Sequence, residues 1–155
     1  MIFVTVGTQI PFDRMMRMVD EIAPELGGEE IVAQSCDGQY RPQHFRPVRF
    51  IEPARFEQLI DQARVIVAHA GIGTILSALQ RGKAIVVVPR RADLREHRND
   101  HQMATAQSMA RERALPVATT AAELLAAVRA ARVAAPLSER PDASLIDAIC
   151  RFIED

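Results

Sequence analysis

The sequence predicts an α/β fold in which a parallel sheet carries helices on both faces. Three observations predict it. Short β-branched runs alternate along the chain with apolar stripes at the 3.6-residue helical period. The runs Val65-Ile66-Val67-Ala68 and Ile85-Val86-Val87-Val88 are continuously apolar, as strands covered on both faces require. Alternation of strand and helix calls for right-handed crossovers between parallel neighbours. At 155 residues, with 48% hydrophobic and 25% charged side chains, the chain suits one globular domain with a core of its own.

The first strand is expected over 2–6, followed by a helix whose stripe is Phe12, Met15, Met16, Val19, Ile22 and Ala23. Further strands are expected over 30–34, 48–51, 65–69 and 84–88, with a short one over 116–118. Helical stripes lie between them: Phe56, Leu59, Ile60 and Ala63, then Ile72, Ile75, Leu76 and Leu79. A helix is expected over 99–113, and the capping box Thr120-x-x-Glu123 opens another before Leu124, Leu125 and Val128. Pro136 and Pro141 bias their predecessors away from helix, so 133–141 reads as an extended connector. Asp142 caps a final helix with the stripe Leu145, Ile146, Ile149, Phe152 and Ile153. The expected organisation is a sheet domain over 1–132, then a connector and amphipathic helix over 133–155.

Nineteen Lys+Arg against twenty Asp+Glu leave a net charge of −1, which excludes nucleic-acid or anionic-lipid binding by bulk charge. Lys83 is the only lysine, and arginine favours planar, bidentate anion contacts. Cys36 and Cys150 have neither disulfide-framework nor zinc spacing and read as ordinary thiols. The first residues lack a basic leader, and no apolar run approaches the roughly 20 residues that span a bilayer. A cytoplasmic location is therefore expected.

Ligands of open parallel sheets bind outside the carboxyl ends of the strands, so the residues after each strand carry the chemistry. After the first comes Gly7-Thr8-Gln9, a glycine turn that lets backbone amides approach a ligand closely. The spacing G-x-G-x-x-G is absent, so no dinucleotide site is indicated. After Ala68 comes His69-Ala70-Gly71-Ile72-Gly73-Thr74, running straight into a helical stripe. A glycine-opened helix N-terminus leaves amides and the positive dipole end open to an anion, and His69 and Thr74 are placed to add donors. The pattern has the shape of a diphosphate site. After Val88 comes a loop dense in hydrogen-bonding groups, including Arg90, Arg91, Arg95, Arg98, Asn99, Asp100 and Gln102. It suits a polyhydroxylated or phosphorylated ligand, or a solvated charged face; His97 and His101 four apart lack the H-E-x-x-H arrangement and make a poor metal site.

Four segments in order, Val4 to Thr8, His69 to Thr74, Gly82 to Arg90 and Glu96 to Gln102, resemble the C-terminal, donor-binding half of the family-28 glycosyltransferases. The likeness covers nearly the whole chain, and extends to small subunits of split enzymes in exopolysaccharide and dolichol-linked saccharide synthesis. It implies a Rossmann-like half of a GT-B fold that binds a UDP-sugar, the donor substrate, with no cofactor. It also implies a partner, a membrane-attached subunit that binds the lipid-linked saccharide acceptor and recruits this chain to the inner face of the membrane. The resemblance matches His69, Gly71, Gly73 and Thr74 to the diphosphate-binding turn. It matches His101 and Gln102 to the donor-sugar hydroxyls, and Gly7 and Thr8 to a cleft-facing loop. Where relatives often carry a ribose-binding Glu, this chain has Ser77.

The expected chemistry is an inverting, metal-independent transfer in which an acceptor hydroxyl attacks C1 and UDP leaves. Charge gathering on the diphosphate would be met by the helix N-terminus, with Arg90 or Arg98 assisting. Asp100 and His101 are base candidates by chemistry, unless the partner owns the base. The arginines at 90, 91, 95 and 98 raise an acidic donor such as UDP-glucuronate. Rival readings are a UDP-sugar epimerase, which needs both halves in one chain, and a nucleotide-sugar-binding regulatory subunit. The terminal helix docks on the partner, on its own core, or in a homodimer.

Overall fold

The computed structural model describes residues 1–96, 104, 108 and 115–131. Of the expected helix over 99–113 only Ala104 and Ser108 are described, both helical, and the connector and the final helix lie outside the described residues.

Among the described residues four strands, β1 (Ile2–Thr5), β2 (Ile31–Gln34), β3 (Val65–His69) and β4 (Ala84–Val88), form a parallel sheet in the order β2-β1-β3-β4. Register sets Phe3 beside Val32 and Ile66, and Ile66 beside Ile85. Among the described residues, four α-helices have full bounds, in chain order α1 (Asp13–Ile22), α2 (Pro53–Gln62), α3 (Ile72–Gln80) and α4 (Ala121–Ala130).

Side chains alternate across the strands, and each set meets its own helices. Ile2, Val4, Val65, Val67, Val86 and Val88 join Met15, Met16 and Val19 of α1 and Leu124 and Val128 of α4 in one buried layer. Phe3, Ile66, Ala68, Ile85 and Val87 join Leu59 and Ile60 of α2 and Ile75, Ala78 and Leu79 of α3 in the other. The expected fold, a parallel sheet with helices on both faces, is the observed one.

The helix boundaries follow local chemistry. Pro24 near the end of α1's stripe tightens the chain into a 3₁₀ turn, Ala23–Leu26, which Gly27 closes at φ +66°. Pro53 opens α2, where its missing N–H costs nothing. The capping box is formed: Glu123 N donates to Thr120 Oγ1 at 3.2 Å, and Thr120 N to Glu123 Oε2 at 3.3 Å.

Two expected strands shrink to single bridges. Val48 pairs once with Gln34, after which the Gln34 side chain takes the Ile51 N–H at 2.8 Å and ends the ladder. Val48 and Phe50 are left exposed, so 48–51 lacks the buried face that sustains a strand. At 116–118 only Val117 bridges, to Val87, and Pro116 has no N–H with which to lengthen the pairing.

Candidate functional site

The carboxyl ends of β1, β3 and β4 open onto a cleft of about 480 Å³, within the range of small-molecule sites. The 6–11 loop after β1 contributes Val6, Gly7, Thr8, Gln9 and Ile10. The β3–α3 turn and the first turns of α3 contribute His69, Gly71, Gly73, Thr74 and Ser77, with Phe56 from α2 and Arg90 after β4 completing the wall. Thus eight sequence-identified residues, Gly7, Thr8, His69, Gly71, Gly73, Thr74, Ser77 and Arg90, meet around one space. Arg98, Asn99, Asp100, His101 and Gln102 lie outside the described residues.

The imidazole of His69 lies close against two glycines. A Cβ on Gly71 would sit 2.3 Å from His69 Nε2, and one on Gly7 2.7 Å from Cε1. Both contacts are shorter than carbon or nitrogen tolerates, so each glycine is there to admit the ring. Gly7 also has φ +83°, a left-handed conformation that side chains disfavour. Its peptide is fixed on both sides. Gly7 N donates to Thr5 Oγ1 at 3.2 Å, and its carbonyl accepts from Gln34 Nε2 at 2.8 Å and from the Cys36 thiol at 2.9 Å. Burial pushes the Cys36 thiol up, which keeps the proton that this bond uses.

α3 begins at its N-cap Gly71, which has no side chain to occupy the first-turn amides. Gly73 and Thr74 of that turn line the cleft, so the positive end of the helix dipole opens onto it. None of the described lining residues is acidic. A Cβ on Gly73 would meet nothing within 4 Å, so the fold itself makes no demand for glycine there. The arrangement suits a small ligand with an anionic group at α3 and an uncharged remainder along Phe56 and the 6–11 loop.

Arg90, expected to assist at the diphosphate, lines the cleft and is also tied to the loop after β1. Its guanidinium is turned to the protein, donating to the carbonyls of Pro11 at 2.6 Å, Ile10 at 2.5 Å and Val6 at 3.0 Å. Burial lowers it to about 10, so the group is still a cation at neutral pH. Arg91 donates from Nε and Nη2 to Asp93 at 3.0 and 2.6 Å. Two of the four arginines that suggested an acidic donor thus serve the protein's own carbonyls and carboxylates.

Sequence reading missed Gln34 and the pairing of Arg14 with Glu96. The signal for Gln34 was a polar residue ending an apolar strand; it is fully buried and joins Gly7 to Ile51. Arg14 and Glu96 lie 82 residues apart and pair through Nε at 2.7 Å and Nη2 at 3.0 Å, which no local pattern announces.

Comparison with known proteins agrees with this geometry. Two curated relatives, both named UDP-N-acetylglucosamine transferase subunit ALG13, are similar in sequence. The mouse protein is 32% identical over 120 residues, 71% of this chain. The human protein is 30% identical over 123 residues, 72% of this chain. The chain spans about a tenth of the length of either relative, 10% in each case. Among solved structures, the solution structure of ALG13 matches with a TM-score of 0.61 at 17% identity, covering 99% of this chain and 96% of that one. The glycosyltransferase of kitacinnamycin matches at 0.62 and 20% identity, covering 99% of this chain and 38% of that one. CalG4, the calicheamicin glycosyltransferase, matches at 0.60 and 17% identity over the same shares, 99% and 38%. At these identities the structures speak for the fold alone. The model of the glycosyltransferase family 28 C-terminal domain matches residues 1–144, and the chain belongs to that family.

Proposed function

We propose that this chain is the donor-binding, catalytic subunit of an inverting UDP-sugar-dependent glycosyltransferase, acting on a lipid-linked saccharide acceptor held by a membrane-attached partner in polysaccharide biosynthesis. The observation that carries the reading is the glycine-opened N-terminus of α3, facing a cleft with no acidic lining among the described residues. Family membership supports glycosyl transfer, and the relatives' designation as subunits supports a partner. In the reaction the acceptor oxygen bonds to C1 of the sugar, the bond from C1 to the phosphate oxygen breaks, and UDP departs with its electron pair. The acceptor proton passes to a base. Negative charge grows on the leaving diphosphate, and fixed amides at α3 with the Thr74 hydroxyl stabilise it without reorganising. His69 and Thr74 contact the diphosphate in this reading, and Ser77 reaches the ribose. Among donors, UDP-N-acetylglucosamine has the support of the relatives' names, and the engagement of Arg90 and Arg91 weakens the case for UDP-glucuronate.

Calorimetric titration with UDP, UDP-N-acetylglucosamine, UDP-glucose and UDP-glucuronate tests the reading. UDP is expected to bind, and absence of binding by all four overturns it. Thr74→Ala should weaken UDP by roughly 1–3 kcal/mol through a lost charge-assisted hydrogen bond. Gly73→Ala separates ligand from fold. Removing a helical glycine should stabilise the protein by up to about 1 kcal/mol, because the methyl meets nothing of the protein. The same methyl intrudes where the diphosphate would lie, so UDP affinity should fall about tenfold. A thermal melt and a UDP titration of that variant are expected to move in opposite directions; a rise in both would remove the diphosphate from α3.

A further inference from the structure

We propose that Arg90 is a positioning residue that holds the 6–11 loop in its ligand-ready shape through backbone carbonyls, without itself touching the ligand. The inference rests on reading the cleft as the UDP-sugar site and assigns the loop's order to one buried guanidinium.

Thr8, Gln9 and Ile10 are exposed and belong to no helix or strand, yet they form the near wall of the cleft. Three carbonyls of this loop, those of Val6, Ile10 and Pro11, converge on Arg90. The side chain is 2% exposed and stacks over Phe12, with 4.5 Å from the guanidinium carbon to the ring centroid. A planar fork with five donors can serve several carbonyls while lying flat on a ring, whereas an ammonium cannot.

The base from which Arg90 projects is itself anchored. Arg14 of α1 donates to the Pro89 carbonyl at 2.7 Å and to both Glu96 oxygens. Glu96 in turn accepts the Arg91 N–H at 2.9 Å. Arg14 also lies over the Phe12 ring, 5.1 Å from its centroid, so α1 fixes both the platform and the strand exit that carries Arg90. A loop ordered before the ligand arrives does not charge its ordering entropy to binding.

The test compares Arg90→Met, Arg90→Lys and the control Arg64→Met in the full chain. Arg64 bonds Glu29 at 2.9 and 2.7 Å and the Val128 carbonyl at 3.2 Å, at the opposite end of the strands from the cleft. Two readouts apply at a temperature where melting curves show each variant folded: nitrogen-15 relaxation of the Thr8, Gln9 and Ile10 amides without ligand, and the UDP dissociation constant. Arg90→Met is expected to make those amides mobile on the nanosecond scale and to weaken UDP at least tenfold. Arg90→Lys keeps the charge and should recover neither, while Arg64→Met leaves both at wild-type values. Rigid loop amides in folded Arg90→Met, or full UDP affinity in Arg90→Lys, would overturn the proposal. Should Arg90→Met fail to fold, Arg90→Lys decides by the same readouts. A wild-type protein that binds no UDP defeats the donor-site reading, and the relaxation measurement still decides the role of Arg90.

Discussion

Gly71→Ala is expected to cost at least thirtyfold in UDP affinity, about 2 kcal/mol, while the sheet domain still folds. The new methyl would stand 2.3 Å from His69 Nε2 and 2.8 Å from Cε1, so the imidazole must leave its place. It has little room to do so. Gly7 also lies close against the ring, and the Gly7 carbonyl is tied to Gln34 and Cys36. The displaced ring therefore pushes on the 6–11 loop and on the turn that opens α3, the two walls nearest the end of the cleft proposed for the diphosphate. Overpacking of this kind costs roughly 1–3 kcal/mol of stability. Adding His69→Ala to Gly71→Ala removes the clashing partner and should restore the melting temperature, but not UDP binding, since the imidazole donor is then gone. Calorimetry on the single and double variants checks both statements; a Gly71→Ala protein that binds UDP like wild type would show that His69 is remote from the ligand.

The same pair of glycines shows how much of the site was legible in the sequence and where legibility stopped. Periodicity located β1, β3, β4 and the stripes of α1, α2 and α3, because continuous apolar runs and 3.6-residue spacing are direct records of burial. Position after a parallel strand then identified Gly7, His69, Gly71, Gly73 and Thr74 as neighbours in space, and they share one cleft. What a linear pattern could not carry was the direction in which a side chain is used. Arg90 was chemically fit for a phosphate, yet three carbonyls of a loop about 80 residues earlier hold it. Phe12 was read as the start of the α1 stripe; it is the N-cap of that helix and the buried platform beneath Arg14 and Arg90. At 48–51 alternation and β-propensity suggested a strand, but a glutamine side chain from the edge of the sheet replaced the ladder after one bridge. At Arg90 and at Gln34 a polar side chain satisfied backbone groups far away in sequence, and such pairings have no period.

Asp20→Ala is expected to lower stability by about 3 kcal/mol, through the same kind of long-range contact. Asp20 of α1 is buried and accepts from Tyr40 Oη at 2.7 Å, from Gln43 N at 3.0 Å and from His44 N at 2.9 Å, with the His44 ring nitrogen Nδ1 3.0 Å away. Seven residues earlier, Asp13 accepts from Gln39 N at 3.1 and 3.2 Å. The two acids thus hold a loop that contains Pro42 and Pro47 and has few backbone partners of its own. That loop delivers Phe45 to the core layer of α1 and begins at Cys36, whose thiol reaches Gly7. Alanine at 20 leaves three part-buried donors without their acceptor, each worth about 1 kcal/mol. The acid limb of stability should carry the same signature. Burial alone would raise the Asp20 carboxyl, but the donors from Gln43, Tyr40 and His44 outweigh it and hold it at about 2, against an ordinary value of 3.8. A depressed carboxyl contributes its stability above the unfolded value and loses it as pH falls through the folded one, here from about pH 4 toward pH 2. A shift of this size corresponds to about 2 kcal/mol. Asp20→Asn keeps one acceptor oxygen and removes the titration, so urea unfolding between pH 6 and pH 2 should show the gap between wild type and Asp20→Asn closing as the pH falls. A gap that stays constant to pH 2 would mean that Asp20 is not the carboxylate that anchors this loop.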